Sequence, residues 1–218
     1  MQVCIPSYKR GKDCKTTDWI KSAKLFVHKF EAAEYRTSYQ NEVVEIPDEI
    51  GGKGMATIRN FIKNYCHENG DDRVLMLDDD IEKFGYFENN EWNVVDEAEF
   101  LLFAENAYLM CDELGTKLWG VNVCWDKRFY HENLPMSFGN VVLGPCFGVT
   151  WDGGLNFDER LGLKEDYDYS IQCLNKFRKI LRFNKYFYVM KHMFSVGGCR
   201  GYRNMEREIE QARLLQKK

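Results

Sequence analysis

No apolar run in this 218-residue chain approaches the roughly 20 residues that a membrane-spanning helix needs. The opening stretch, Met1 to Pro6, has the pattern of a strand and not of a signal peptide. There is no long polar or low-complexity tract, so no disordered region is expected. The eight cysteines (Cys4, Cys14, Cys66, Cys111, Cys124, Cys146, Cys173 and Cys199) form no C-x-x-C pair, which argues against a zinc knuckle. Several sit inside apolar patterns and read as buried thiols, so a reducing cytosol is the expected compartment. Neither a P-loop nor a G-x-G-x-x-G is present. A formal net charge of −4, with pI about 5.7, speaks against indiscriminate binding to nucleic acid. Yet Asp and Glu are absent between Lys176 and Arg203, an exception taken up below.

What is present is a globular composition, 44% hydrophobic and 15% aromatic, organised around Val74-Leu75-Met76-Leu77-Asp78-Asp79-Asp80. Four apolar residues read as a short strand buried on both faces, as in a parallel sheet. Three consecutive carboxylates follow at its carboxyl end, where ligands sit in open α/β sheets. If the strand continues, Asp78 and Asp80 point to one side and could hold a hard divalent cation, while Asp79 points to the other. A solvated acidic loop is the plain alternative.

Short apolar strands are expected at Gln2–Pro6, Lys24–His28, Val43–Pro47, Leu118–Val123 and Tyr186–Met190, the first stopped by Pro6. Helical spacing marks Glu31–Tyr39, a stretch from Met55 through Tyr65, Asp96–Leu114, and a helix opening near Glu165 with Ile171, Leu174 and Phe177 on its apolar side. A hairpin is expected over Phe84–Asn93, turning at Asn89-Asn90. Gly51-Gly52-Lys53-Gly54 opens the Met55 helix, on which Arg59 either snorkels or reaches a ligand. Gly148 permits a close approach of backbone or ligand. Strands alternating with helices predict an α/β fold with a mostly parallel central sheet flanked by helices, plus a smaller antiparallel region.

Two further clusters carry chemistry. Glu165 and Asp166 open a helix, where carboxylates are either capping groups or a base aimed at a reacting hydroxyl. The acid-free stretch holds Arg178, Lys179, Arg182, Lys185, Arg200 and Arg203 interleaved with aromatics. That is the footprint expected for a phosphate backbone, or else a core strand with solvated cations.

Taken together, Val3-Cys4-Ile5-Pro6-Ser7-Tyr8, Gly54-Met55-Ala56-Thr57-Ile58-Arg59-Asn60, the Asp78-Asp79-Asp80 triplet, Phe157-Asp158-Glu159 leading to Glu165-Asp166, and His192 resemble a glycosyltransferase of the GT-A fold. Leu77-Asp78-Asp79-Asp80-Ile81 and Gly197-Gly198-Cys199-Arg200-Gly201-Tyr202-Arg203 narrow the resemblance to the TET-associated glycosyltransferases, a largely bacteriophage family linked to sugar transfer onto 5-hydroxymethylpyrimidines in DNA. The resemblance implies a single domain, with residues 1–124 binding the nucleotide sugar, 125–203 forming the acceptor and catalytic half, and 204–218 a peripheral helix. It implies a UDP-sugar donor, Mn²⁺ or Mg²⁺, DNA containing 5-hydroxymethylcytosine as acceptor, no membrane and no protein partner, in the host cytoplasm. By the same resemblance, Asp78, Asp80 and His192 hold the metal. Pro6, Ser7, Tyr8, Arg10, Arg59, Asp79, Gly197 and Gly198 surround the donor. Asp166 is the base, with Glu165 beside it. A glycan or protein acceptor, or nucleotidyl transfer, is the alternative.

Overall fold

The structure is a computed structural model that describes residues 1–89, 91–190 and 204–217. Among the described residues, ten strands form one mixed sheet. Its first half is β1 (Gln2–Ser7), β2 (Lys24–His28), β3 (Val43–Ile46) and β4 (Arg73–Leu77), ordered β3-β2-β1-β4 and all parallel. The second half contains β5 (Ile81–Glu88), β6 (Glu91–Val94), β7 (Leu118–Asn122), β8 (Met136–Ser137), β9 (Cys146–Thr150) and β10 (Leu181–Met190). β9 lies antiparallel between β4 and β7, so β7 and its parallel neighbour β10 run in the same sense as β4. The hairpin β5–β6 closes the far side antiparallel to β10, and β8 also pairs with β10. This is the expected α/β fold, and its sheet is continuous across residue 124.

The core strands are buried on both faces, and the pleat sorts their side chains into two layers. Val3, Ile5, Leu75 and Leu77 face the cluster that holds Tyr35, Phe100, Ala104 and Tyr108, from α2 (Ala32–Ser38) and α4 (Glu97–Leu114). Cys4, Val74 and Met76 face the cluster of Ile58, Ile62, Tyr169 and Cys173, from α3 (Met55–Glu68) and α5 (Glu165–Phe177). α4 begins on a capping box, Asp96 with Glu99, and ends on Gly115 in the left-handed conformation. A short α1 (Thr16–Trp19) follows β1 and its loop, and α6 (Met205–Leu215) ends the described chain.

Three local expectations are corrected. Pro6 does not stop β1, which runs through Ser7. Pairing with β4 ends at Cys4, so beyond it β1 is bonded on one side only, where a missing N–H is tolerated. On α5, Leu174 and Phe177 pack half-buried against the core, but Ile171 is exposed, because the side toward the sheet runs through the buried Tyr169 and Cys173. On α3 the buried face includes two cations, Arg59 at 3% exposure and Lys63 at 1%. Lys63 Nζ is held by Leu155 O and by Asn156 Oδ1, the latter at 3.0 Å, which makes its burial tolerable. Gly148 serves packing: a Cβ there would collide with the Trp119 indole and the Tyr108 hydroxyl.

Candidate active site

β4 ends at Leu77, and the chain turns through Asp78–Asp80 to begin β5 at Ile81. Because the strand does not continue, Asp78 and Asp80 are not simple same-face neighbours. Asp79 and Asp80 instead share one cation: Arg10 Nη1 lies 2.5 Å from Asp79 Oδ1 and 3.2 Å from Asp80 Oδ2. Asp79 also accepts the Ser7 hydroxyl at 2.5 Å, and so clamps the loop after β1 to the end of β4. Tyr35 completes the clamp, its hydroxyl 2.7 Å from Ser7 Oγ and accepting Arg10 N–H at 3.0 Å. From the other side, Thr16 Oγ1 donates to Asp78 O at 2.6 Å and accepts Ile81 N–H at 3.0 Å. The acidic turn is therefore rigidly framed.

Its charges are not fully compensated. Burial pushes Asp78 up to about 7, with Asp80, Asp79 and Glu165 adding repulsion and Arg59 pulling back. Burial pushes Asp79 up to about 6 against the pull of Arg10 and Ser7. Among the described residues, Asp80 Oδ1 is buried without a hydrogen-bond partner. An orphaned carboxylate oxygen beside a second underpaired carboxylate is a donor set that suits a hard cation. No group of three or more potential ligands converges among the described residues, and His192 lies outside them.

A ring of contacts ties this turn to the start of α5. Arg59 Nη1 donates to Glu165 Oε1 at 2.9 Å, and Nη2 to Gly144 O at 3.1 Å. Arg59 Nη2 also stands 3.6 Å from Asp78 Oδ1. Gly144 N–H donates to Asp166 Oδ2 at 3.0 Å, and Pro145 O accepts Asp78 N–H at 2.9 Å. The guanidinium, wedged against Phe147 and Phe157, is thus committed inside the protein. Gly144 is required here, since a Cβ would come within 2.5 Å of Arg59 Nη2. Asp166 is half-buried and receives Tyr167 N–H at 2.8 Å on its other oxygen. The buried Tyr188 hydroxyl on β10 lies in the same field: burial first, then Cys146, Asp78, Asp166 and Asp80, raise its pKa.

On the far side of Arg10, a cleft opens between the loop after β1 and the segment after β2, lined by Lys9, Lys12, Phe30, Glu31 and Glu34 among others. Tyr8 packs on His28 at 4.8 Å and on Phe30 at 6.4 Å, and Phe30 is 71% exposed. Glu31 is 7% exposed. Its Oε2 accepts Lys9 N–H at 2.8 Å, while Oε1 is buried with no partner among the described residues. Aromatic faces beside an unfilled acceptor are suited to a planar heterocycle with an N–H donor.

Of the residues expected to meet the donor, Ser7, Arg10 and Asp79 come together in the clamp, Tyr8 borders the cleft, and Pro6 lies buried inside β1. Gly197, Gly198, His192, Arg200 and Arg203 lie outside the described residues. Arg178 ends α5 and Lys179 follows it, so both sit at the end of the helix remote from Asp166, about 18 Å away at 1.5 Å per residue. Arg182 Nε donates to Asn184 Oδ1, and Lys185 pairs with Glu88. Phe183, Phe187 and Tyr188 from the same stretch are buried in the sheet. Sequence reasoning passed over Thr16, Glu31, Tyr35 and Gly144 as site residues. Among them only Gly144 carried a visible signal, since Gly144-Pro145 interrupts the apolar segment 141–151.

The profile of the family described as TET-Associated Glycosyltransferase matches residues 1–199. No curated protein matches the chain. Among solved structures, residues 1–349 of TarS from S. aureus in complex with UDP is 15% identical with a TM-score of 0.52, covering 99% of this chain and 64% of that one. Glucosyl-3-phosphoglycerate synthase from Mycobacterium tuberculosis, in complex with Mn²⁺, UDP-glucose and phosphoglyceric acid, is 11% identical with a TM-score of 0.56, covering 99% of this chain and 76% of that one. The chain spans 60–64% of the TarS fragment and 39% of the longer TarS chain. At these identities the likeness establishes a shared GT-A fold. With its profile matched over residues 1–199, the chain belongs to the TET-associated glycosyltransferase family.

Proposed function

We propose that this protein transfers a sugar from a nucleotide-sugar donor, a UDP-sugar, to the hydroxymethyl group of 5-hydroxymethylcytosine in DNA. The observation that carries the reading is the ring joining Asp78, Arg59, Glu165, Gly144 and Asp166 at the carboxyl edge of the sheet. It holds an underpaired acidic turn, suited to a diphosphate with its cation, against a half-buried carboxylate suited to a base. Family membership supports DNA as the acceptor.

The donor base is assigned to the cleft that Phe30 lines beside Tyr8, with the Glu31 carboxylate on its wall as the acceptor for an imide N–H. Asp78 and Asp80 are the residues that would hold Mn²⁺ or Mg²⁺. Bound there, the ion would supply positive charge to the departing diphosphate. Asp166 takes the proton of the acceptor hydroxymethyl group as its oxygen attacks the anomeric carbon. Glu165 and Arg59 fix the backbone on either side of that carboxylate.

Incubation with Mn²⁺, a panel of nucleotide sugars and DNA with or without 5-hydroxymethylcytosine tests the proposal, read by the mass of released nucleosides. A hexose-sized gain confined to hydroxymethylated DNA is expected. Hydrolysis of a nucleotide sugar without transfer would reject the acceptor, and release of pyrophosphate from a nucleoside triphosphate would favour nucleotidyl transfer.

Glu31→Gln should separate binding from stability. Burial raises the Glu31 pKa, so the folded protein holds this proton more tightly than the unfolded chain. The stability it contributes is complete below the ordinary carboxyl range and is lost as pH rises through the raised value. The variant should therefore be more stable than the parent at pH 8 and no more stable at pH 4, read by thermal melts at the two pH values. Its UDP affinity, read by calorimetry at pH 8, should fall about tenfold through loss of a charge-assisted hydrogen bond. Unchanged affinity would remove Glu31 from the base site.

A further inference from the structure

α6 lies beyond the residues that the family profile matches, yet it grips the turn that leads into Glu165 and Asp166. Glu208 Oε2 lies 2.7 Å from the ammonium of Lys164, with side-chain exposures of 22% and 20%. Lys164 is the N-cap of α5, immediately before Glu165 and Asp166, and offers no side-chain cap of its own. One turn further along α6, the buried Gln211 donates its amide to Arg160 O at 3.2 Å. Leu161, next to that carbonyl, is fully buried. Asn204 caps α6 by accepting Arg207 N–H at 2.9 Å, so the helix has a defined start.

We propose that α6 acts as a clasp, in which Glu208 and Gln211 hold the Arg160–Lys164 turn and thereby set the position of Asp166. The inference rests on the role of Asp166 proposed above. Lys164, Glu208 and Gln211 are positioning residues that touch neither donor nor acceptor. Their effect passes through one peptide unit to Glu165, which Arg59 holds, and then to Asp166, which Gly144 holds. A carboxylate anchored from α3 and the Gly144 loop on one side, and from α6 on the other, has one place to stand. Released on the α6 side, the first turn of α5 can fray without disturbing the sheet.

The test uses the full chain with Lys164→Glu, Glu208→Lys and the double reversal. Neither residue belongs to the hydrophobic clusters of the core, so charge reversal leaves the core intact. Hydrogen–deuterium exchange should rise across residues 158–168 in each single variant, with α3 and α4 unchanged, and return to the parent pattern in the double reversal. Turnover at saturating donor should fall about tenfold in the single variants at unchanged donor affinity, and recover in the double. Parent-like exchange across 158–168 in both single variants would overturn the clasp. So would turnover that falls only in step with donor affinity, or a double reversal that rescues neither readout. A parent protein silent with every nucleotide sugar would reject the transferase reading, while the exchange pattern would still decide the clasp.

Discussion

Replacing Asp166 with Asn should lower turnover by about 10²- to 10⁴-fold, the usual worth of a general base, while affinity for the donor stays unchanged. Both Asp166 oxygens accept backbone N–H groups, from Gly144 and from Tyr167. These bonds orient the carboxylate and leave its remaining lone pairs for an acceptor hydroxyl. An asparagine of the same shape can satisfy only one of the two donors, so a loss of about 1 kcal/mol in stability should accompany the variant. That loss is far too small to explain the drop in rate. Glu165 cannot replace Asp166 as base, because its carboxylate is buried against the Arg59 guanidinium at 2.9 Å. Single-turnover transfer with saturating donor is the measurement. Parent-like rates in Asp166→Asn would move the base elsewhere on the edge.

The second large effect concerns the acidic turn. Asp80→Asn should reduce Mn²⁺-dependent binding of UDP by at least about a hundredfold, since even outer-shell changes at metal sites cost ten- to a hundredfold. Asp78→Asn should do the same. The two carboxylates differ in surroundings, and that sharpens the comparison. Asp80 keeps one oxygen near Arg10, and its other oxygen has no partner among the described residues, whereas Asp78 is held near Arg59 and pushed up to about 7 by burial. Titration calorimetry with UDP, with and without Mn²⁺, reads the result. If Asp80→Asn still bound UDP in a Mn²⁺-dependent way, the metal assignment would be wrong. Asp79 has different partners. It receives Ser7 and Arg10, so its loss should loosen the loop after β1 without removing a metal oxygen.

Much of the fold was legible because its signals are local. The apolar run Val74–Leu77 met by three aspartates, the helix over Asp96–Leu114, and the hairpin expected over Phe84–Asn93 each depend on residues within a short stretch of chain. Apolar periodicity likewise placed α3, although its buried face carries Arg59 and Lys63. Hydrophobicity alone could not anticipate that, because each cation is accepted only through partners far along the chain. On α5 only Ile171 was misplaced, for a related reason: it has the right chemistry, but the sheet lies toward Tyr169 and Cys173, with Leu174 and Phe177 packed at the margin.

The site divides the same way. The sequence alone was sufficient to identify the α/β class, the acidic turn at a strand end, the Glu165-Asp166 pair at a helix start, and the family. Those are properties of short segments, each read with its own periodicity and charge. Only the tertiary structure decided that Arg10 is shared by Asp79 and Asp80, that Arg59 serves Glu165 across 106 residues, and that Gly144 links both to Asp166. It also decided that Glu31 lines a cleft with one oxygen buried and unpartnered among the described residues, and that Arg178 and Lys179 lie at the far end of α5 from the carboxylates. The physical reason is common to all of these. A charge takes its role from what desolvates and pairs it, and in this chain those partners are brought together by the sheet order, not by proximity in sequence.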